Sequence, residues 1–156
     1  ILREYYDILH VDTQYRAHEF IIDTNCFKDI DISCVDISKR LMDYHFHAPT
    51  MSWPINNSLM IEISETESID EIDRFVDAMI KIKQEINEIR TGKYSIDNNP
   101  LKNSPHTQHD LLNWTYPYSI QVGCYPTKYQ LKNKYWPTRN RIDDLYGDME
   151  LEKKFK

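Results

Sequence analysis

A single long helix is the strongest structural signal in this sequence. Over about six turns, apolar residues recur at intervals of three and four: Ile72, Phe75, Val76, Met79, Ile82, Ile86 and Ile89. This spacing places them on one face of a helix, as a stripe that packs against a core. Ser68 and Glu71 predict a capping box at its start, Gly92 predicts its end, and Arg90 and Lys93 suit the negative end of the helix dipole. The rest of the chain must therefore supply a layer that covers this stripe.

Short apolar runs elsewhere predict a small sheet. Four runs read as strands: Ile8–Val11, His18–Asp23, Met51–Trp53 and Leu59–Ile63. Residues 12–14 predict a turn after the first run. Asn56 and Asn57 tolerate the positive φ angles of a tight turn, which makes the last two runs a hairpin, although the neighbouring Pro54 also allows a longer loop.

A second helix is predicted between the second and third strands. Ser33 followed by Asp36 is a typical helix start, and the helix should run to about Tyr44 with His45 near its C-terminal cap. The residues expected to face inward are Val35, Leu41 and Met42. Strand, helix, hairpin and helix together predict an α+β fold, in which helices cover a sheet.

The sequence divides near Gly92 into two parts of different character. Residues 1–92 are expected to form the small α+β domain. Residues 93–156 contain most of the prolines and many Asn, Thr and Tyr residues, so we expect an irregular tail that packs on a part of the protein outside this chain. Residue 1 is Ile, and Ile1–Tyr6 resembles the end of a helix already under way, which predicts that the chain is part of a larger protein.

Charge and composition exclude several classes of partner. The formal net charge is -6 and no basic stripe is present, which argues against nucleic acid as a partner. We find neither an apolar run of membrane-spanning length nor a signal peptide. The 3 glycines form no phosphate-binding loop. Cys26, Cys34 and Cys124 are odd in number and lack metal-site spacing, so free thiols in a reducing compartment are expected.

Two histidine pairs have spacings found in metal sites. His45 and His47 would share one face of a strand, and His106 and His109 one face of a helix. Neither pair has a third ligand at a diagnostic distance, which favours structural or substrate-facing histidines over a metal site.

Two groups of acidic residues also allow alternative interpretations. One group lies at the entry to the long helix and consists of Glu62, Glu65 and Glu67. A general acid/base pair is one interpretation, and solvated carboxylates stabilised by the helix N-terminus are the favoured one. The other group is Asp143 and Asp144, for which we favour an ion pair with Arg139 or Arg141 over a divalent cation site.

The tryptophans are expected to anchor loops by burial. Trp53, Trp114 and Trp136 each lie beside or near a proline. No Ser/His/Asp or Cys/His order stands out as a nucleophilic site. The residues alone therefore leave the function open.

Ordered blocks of the sequence carry a family resemblance. The strand at Ala17–Asp23 is similar to HEFILD, and Lys39–Pro54 is similar to KRLMDYGFHAPTMSWP. Further blocks follow along nearly the whole chain: Leu59–Glu62 with Glu65–Glu67, Asp73–Phe75, Asn99–Lys102 with Pro105–Thr107, Pro117–Ser119, Tyr135–Thr138 and Arg141–Asp148. In this order they resemble the C-terminal part of glycine decarboxylase, the pyridoxal-phosphate-dependent P-protein of the glycine cleavage system.

The chain also departs from the family pattern. His45 stands where the family usually has Gly, and Ile120 and Gln121 stand where Arg-Glu usually follows PYS. Residues 56–58 replace a turn that contains Pro-Gly, residues 63–64 replace Pro-Thr, and the family's cysteine-containing end after Asp148 is absent. These departures leave open a second hypothesis, a non-catalytic binding or scaffold domain that retains the fold.

The resemblance implies the small C-terminal domain of a fold-type I pyridoxal-phosphate enzyme, with a tail that closes over the active site. The family's catalytic lysine follows a histidine and precedes a glycine-rich run. No His-Lys pair occurs here, so that lysine and the bound cofactor are expected outside this chain. The implied reaction removes the glycine carboxylate as CO2 and passes the aminomethyl group to the lipoyl arm of the H-protein.

Substrate or channel residues follow from the same resemblance. The candidates are His47, Thr50, Asn99, Lys102, His106 and Arg141, the last as a partner for anionic groups. The alternative is that they fix the tail onto the large domain. No catalytic residue and no metal ligand is expected in this chain. The implied partners are glycine, the lipoylated H-protein and the remainder of the P-protein in a dimer or heterotetramer. The expected compartment is the cytoplasm for a bacterial source and the mitochondrial matrix for a eukaryotic one.

Overall fold

The computed structural model describes residues 1–9 and 18–154 and contains one antiparallel sheet with two principal helices. The strands are β1 (Asp7–Ile8), β2 (Glu19–Asp23), β3 (Thr50–Met51) and β4 (Ser58–Glu62), in the spatial order β1-β2-β4-β3. The α-helices are α1 (Cys34–Asp43), α2 (Ile69–Arg90), α3 (Ile120–Cys124), α4 (Lys128–Lys132) and α5 (Asp144–Lys154). Shorter 3-10 helices occupy Leu2–Glu4, Asn25–Ile30 and Gln108–Asn113. The predicted α+β class is confirmed.

One face of the sheet forms the core with α1 and α2. Ile22 pairs with Leu59 in the register of β2 and β4, and both side chains are buried in a cluster with apolar residues of the two helices. The neighbouring pair in the register, Ile21 and Met60, points to the opposite face, and both residues are only half-buried. Alternate strand residues therefore separate the core face from the outer face.

The predicted strands agree with the sheet in place and differ at their ends. In the first run, Ile8 pairs with Ile22, while Val11 and the predicted turn at residues 12–14 lie outside the described residues. The hairpin of β3 and β4 is confirmed, but β3 ends at Met51, because Ser52 already has a positive φ of 56°. Residues 52–57 form the longer loop, which closes with Asn57 at φ 57°.

Helix α1 begins as predicted and presents a different face to the core. Ser33 and Asp36 form the reciprocal capping box, with the Asp36 carboxylate accepting from the Ser33 N–H at 2.8 Å. Leu41 is fully buried as expected, and Met42 is half-buried. The prediction that Val35 faces inward is wrong, because the buried face starts at Cys34 and leaves Val35 about a third of a turn away, at 38% exposure.

Helix α2 matches its predicted length, and one of its two terminal motifs differs. Gly92, at φ 81°, ends the helix in a Schellman motif, with the Lys93 N–H donating to the Glu88 carbonyl at 2.9 Å. At the start, Ser68 accepts from the Glu71 N–H at 3.2 Å, but the Glu71 side chain accepts from Arg74 Nε at 2.8 Å. The predicted box is therefore only half formed, because the Arg74 guanidinium is a stronger donor than a backbone amide.

Within residues 1–9 and 18–154, no helix is both long enough and apolar enough to cross a membrane.

Candidate functional site

A surface cavity lies where the end of α1, the hairpin and the start of α2 meet. Its volume is about 540 Å³, and residues 45–50 form one wall while β4 and α2 form the others. The apolar part of the wall includes Phe46, Ile63 and Phe75, and the acidic part includes Glu62 and Glu67. Of the described residues that line it, none is Lys or Arg. The cavity therefore offers apolar walls with a negative rim.

His47 and Thr50 both line this cavity. The two side chains are exposed, and His47 Nδ1 lies 2.9 Å from the Ala48 carbonyl oxygen. Thr50 lies on the edge strand β3, opposite Met60. Their placement leaves both side chains accessible to a molecule that enters the cavity.

The other four predicted site residues belong to a polar network between the tail and α1. Asn99 organises the turn that begins it, because its Oδ1 accepts from the Leu101 and Lys102 N–H groups, each at 3.0 Å. Its Nδ2 donates to the carbonyls of Ser95 and Ile96. Asn99 is fully buried, so its role in the described chain is to hold the backbone of the tail.

Asp43 is the centre of the network. Its carboxylate accepts from Arg40 Nη1 at 2.9 Å, Ser104 Oγ at 2.7 Å and the His106 N–H at 2.7 Å, and it lies 2.8 Å from His106 Nδ1. These side chains are buried. Burial alone would raise the pKa of Asp43, but the His106 ring and the Arg40 guanidinium outweigh burial and hold that pKa below its usual range.

Arg40 connects this carboxylate to α2 and to α3. Its Nε and Nη2 donate to the two Glu85 carboxylate oxygens at 2.9 and 2.7 Å, a bidentate pair. The same guanidinium donates to the Gly123 and Val122 carbonyls at 2.8 and 2.7 Å. All of these donors have acceptors, which is the condition under which a buried guanidinium is tolerated.

Asp36 is the second anchor for the tail. Its carboxylate accepts from Arg141 Nη1 at 2.6 Å and from Lys102 Nζ at 3.3 Å. Lys102 Nζ also lies 2.9 Å from the Asp31 carboxylate, and Arg141 Nη2 donates to the Leu101 carbonyl at 2.8 Å. Both cations are therefore neutralised by contacts within this chain.

An aromatic cluster supports the His106 ring. The ring stacks on Trp114 with centroids 5.6 Å apart, and His106 Nε2 lies 2.8 Å from the Tyr118 hydroxyl. Gly123 approaches so closely that an added Cβ would lie 2.4 Å from the Trp114 ring.

The three tryptophans differ in burial. Trp114 and Trp136 are half-buried in the tail. The prediction that Trp53 is buried is wrong, because it is 65% exposed.

The structure therefore divides the predicted site residues into two groups. His47 and Thr50 lie at the cavity, and Asn99, Lys102, His106 and Arg141 lie in the network. The partners that the sequence interpretation missed are on α1: Asp36, Arg40 and Asp43. Their spacing of i, i+4 and i+7 is the signal that was available, since it predicts a charged stripe on one helix face.

The remaining candidates have local partners or are exposed. His45 Nε2 accepts from the Tyr135 N–H at 3.2 Å, while His109 is exposed. Of the described residues, no group of three or more His, Cys, Asp or Glu side chains is arranged to hold a metal. Asp143 accepts from the Tyr146 N–H at 2.9 Å, whereas Arg141 pairs with Asp36 and Arg139 donates to the Thr138 carbonyl. The predicted ion pair of the 143–144 acids with Arg139 or Arg141 is therefore wrong for the described residues.

The three cysteines are free thiols in this structure. Cys34 and Cys124 are buried, and Cys26 is exposed. Burial raises the pKa of the Cys124 thiol to about 11, and burial also raises the pKa of Cys26. Neither thiol is activated as a nucleophile, because a raised pKa leaves less thiolate at neutral pH.

Fold and site together define a small α+β domain with an open cavity and a tail that hydrogen-bonds to α1. Residues 1–106 match the family described as "Glycine dehydrogenase, C-terminal domain". The chain therefore belongs to the glycine dehydrogenase C-terminal domain family, which confirms the resemblance seen in the sequence.

Similar proteins agree with this assignment. The sequence is 51% identical to glycine dehydrogenase (decarboxylating) of Vibrio campbellii in an alignment 154 residues long that covers 96% of this chain. It is 50% identical over the same length to the proteins of that name from Aliivibrio fischeri and Photobacterium profundum. The chain spans 16% of the length of each of these relatives.

The described residues do not fit a pyridoxal phosphate site. Among residues 1–9 and 18–154, those on the cavity wall include carboxylates and neither Lys nor Arg, and this charge would repel a phosphate group. The cations of the network are already paired within this chain, Lys102 and Arg141 with Asp36, and Arg40 with Asp43 and Glu85. The glycines end a helix at Gly92, pack under Trp114 at Gly123 and lie within α5 at Gly147, so none forms a phosphate-binding loop.

Proposed function

We propose that this chain completes an enzyme that decarboxylates glycine with pyridoxal phosphate and passes the aminomethyl group to the lipoyl arm of an H-protein. The observation that supports this proposal is the 51% identity to a glycine dehydrogenase (decarboxylating) along 96% of the chain. The cofactor supplies an electron sink for decarboxylation, and it is bound by the part of the enzyme outside this chain. Glycine and the H-protein are accordingly the proposed substrate and partner.

The residues of this chain are proposed to position and enclose the reaction. His47 and Thr50 line the open cavity with accessible polar atoms, which supports a role in contacting substrate or the arm that receives its product. Lys102, His106 and Arg141 have partners within the chain, which supports a role in holding the tail against α1. We propose them as positioning residues.

The proposed setting follows the bacterial relatives. We propose a cytoplasmic enzyme in which this domain is joined to the rest of the P-protein, in a dimer or a heterotetramer. The bacterial source of the relatives supports the compartment, and the 16% of their length that the chain covers supports the joining. The mitochondrial matrix is the equivalent compartment for a eukaryotic source.

The proposal is tested by exchange of labelled bicarbonate into the glycine carboxyl, with pyridoxal phosphate and H-protein present. Three proteins are compared: this chain alone, the full-length enzyme, and the enzyme truncated before Ile1. Activity in the full-length enzyme alone is the expected result. Equal activity with and without this chain would make it dispensable, and no activity in any of the three would favour the scaffold hypothesis.

Variants of the full-length enzyme test the two cavity residues. We expect His47→Ala and Thr50→Ala to lower exchange by roughly tenfold or more, the effect of losing a positioning or proton-transfer contact. The matched control is His109→Ala, which removes an exposed histidine distant in sequence from the cavity wall. Equal effects of His47→Ala and His109→Ala would exclude a specific role for His47.

A further inference from the structure

An exposed apolar surface remains at the edge of the sheet. It consists of Val35 at the start of α1, Met51 on β3 and Trp53 in the following loop, with exposed fractions of 38%, 37% and 65%. Cys34 Sγ lies 3.6 Å from Ser52 Oγ, which holds the start of α1 against this loop. We call Val35, Met51 and Trp53 the bend surface.

The bend surface includes an edge strand. Within residues 1–9 and 18–154, β3 pairs with β4 alone and is the last strand of the sheet, so one side of its backbone has no neighbouring strand there. Native proteins cover or charge such edges because an uncovered apolar edge promotes aggregation. No charged residue lies between Pro49 and Ser58, so this edge is not protected in that way.

The tail of the chain covers a different part of the domain. Its hydrogen bonds to the first 92 residues are concentrated on residues 31–45, through Asp36, Asp43 and His45 among others. The tail is thus committed to α1 and its C-terminal end, and the bend surface remains exposed beside it. Trp53 needs another covering element.

The size and position of the bend surface indicate what covers it. An aromatic side chain buries about 150–250 Å² when covered, so these three residues offer roughly 300 Å². A stable complex with a separate partner or a second copy buries at least about 1,000 Å² in total, which is about 500 Å² on each partner and more than the bend surface offers. A segment of the same polypeptide needs far less, because its effective concentration is already high. The chain spans 16% of its relatives, so most of such a polypeptide lies outside it.

We propose that the bend surface is an interface with the preceding part of the full-length enzyme, which packs an apolar segment on Trp53 and Met51 along the edge of β3. This inference rests on the proposed function only in assuming that the chain is joined to such a preceding part. It places the covered edge next to Thr50, which lines the cavity, so the interface would form one border of that cavity.

Thiol labelling of the full-length enzyme tests this interface. The variants are Trp53→Cys and Met51→Cys, and the control is Gln84→Cys on an exposed position of α2. Labelling by iodoacetamide is followed for each site by peptide mass spectrometry and normalised to the rate in denaturant. We expect cysteines at positions 53 and 51 to react about tenfold more slowly than the control, or slower still, because reaction requires local opening of the interface.

Two results would overturn the proposal. One is labelling of both positions as fast as the control. The other is protection that disappears when the enzyme is diluted about a hundredfold, since that would identify a second copy as the covering partner. Glycine exchange activity is measured on the wild-type enzyme. Fast labelling of both positions together with an active wild-type enzyme would refute the interface alone, and protected positions together with an inactive wild-type enzyme would refute the proposed function alone.

Discussion

Replacing Asp43 by Asn should release the tail from α1. The Asp43 carboxylate is fully buried and contacts Arg40, Ser104 and two nitrogens of His106 within 2.9 Å. Asn has the same shape, but it offers one oxygen and turns an amide N–H₂ toward groups that are donors. About two charge-assisted hydrogen bonds are lost, at about 1.5–3 kcal/mol each, so the expected cost is about 3–5 kcal/mol.

Amide hydrogen exchange in the full-length enzyme measures this cost locally. In Asp43→Asn, we expect the amides of residues 104–107 and of α1 to exchange at least roughly a hundredfold faster than in wild type. This factor corresponds to an opening free energy that is lower by about 3 kcal/mol. The control is Glu150→Gln, which removes an exposed i, i+3 ion pair with Lys153 and should cost less than about 1 kcal/mol. Equal effects of the two variants would refute the assignment of Asp43 as the centre of the network.

The same carboxylate predicts how acid acts on the tail. The pKa of Asp43 is held below its usual range in the folded state, so its contribution to stability is fully present above the unfolded value of about 3.9. That contribution is lost as the pH falls through the folded-state pKa. The difference in opening free energy between wild type and Asp43→Asn should be constant from about pH 7 to pH 5 and should narrow below about pH 4. A difference that narrows already between pH 7 and pH 5 would contradict this sign.

Two further substitutions test the packing of the tail. Gly123→Ala should cost about 1–3 kcal/mol and shift the fluorescence of Trp114, because the new Cβ would lie 2.4 Å from that ring. Gly147→Ala, with nothing within 4 Å, should leave the fluorescence unchanged and should not destabilise the protein, because Ala is favoured over Gly inside a helix such as α5. His45→Gly should speed amide hydrogen exchange at Tyr135, because the Tyr135 N–H loses the His45 Nε2 acceptor that lies 3.2 Å away. We expect this even though glycine removes the backbone strain at position 45, where φ is 65°. Burial, together with the nearby Lys134 and Arg74, lowers the pKa of His45 to about 4. The contribution of His45 to stability is therefore full above about pH 6.5 and is lost as the pH falls toward 4. The stability of His45→Gly should lack this pH dependence.

Structure that depends on neighbouring residues was predictable from the sequence. The start and end of α2 follow from Ser68 and Gly92, and the start of α1 follows from Ser33 and Asp36, because each signal and its effect lie within four residues. The hairpin followed from its apolar runs. Its loop was uncertain because Asn57 and Pro54 favour different turns, and the left-handed Asn57 was decided by contacts with α1, including the Cys34 N–H that donates to its Oδ1 at 2.9 Å.

Pairings between distant residues had no local signal. Arg40 and Glu85 are 45 positions apart, and Asp36 and Arg141 are 105 positions apart. Nothing near either member of a pair specifies its partner, so the sequence could name His106 and Arg141 as candidates but could not name Asp43 and Asp36 as the groups they contact.

The exposed tryptophan marks a different limit of sequence interpretation. Apolar character predicted that Trp53 is buried, and the prediction is wrong for the described chain because no part of it reaches that side of the sheet. Apolarity specifies that a side chain favours burial, and it does not specify which part of a protein supplies the cover.

The position of His45 links the tail to the cavity and decides how activity data should be interpreted. His45 lines the cavity and also accepts from the Tyr135 N–H through Nε2. A tail released by a change at His106 can therefore disturb the cavity wall through His45, without any contact between His106 and substrate. A change at His47, which is exposed and has no partner in the tail within the described residues, has no such route. A variant that loses glycine exchange activity and also shows faster amide hydrogen exchange at residues 129–135 thus identifies a positioning residue. A variant that loses activity while amide hydrogen exchange there is unchanged identifies a residue that contacts substrate.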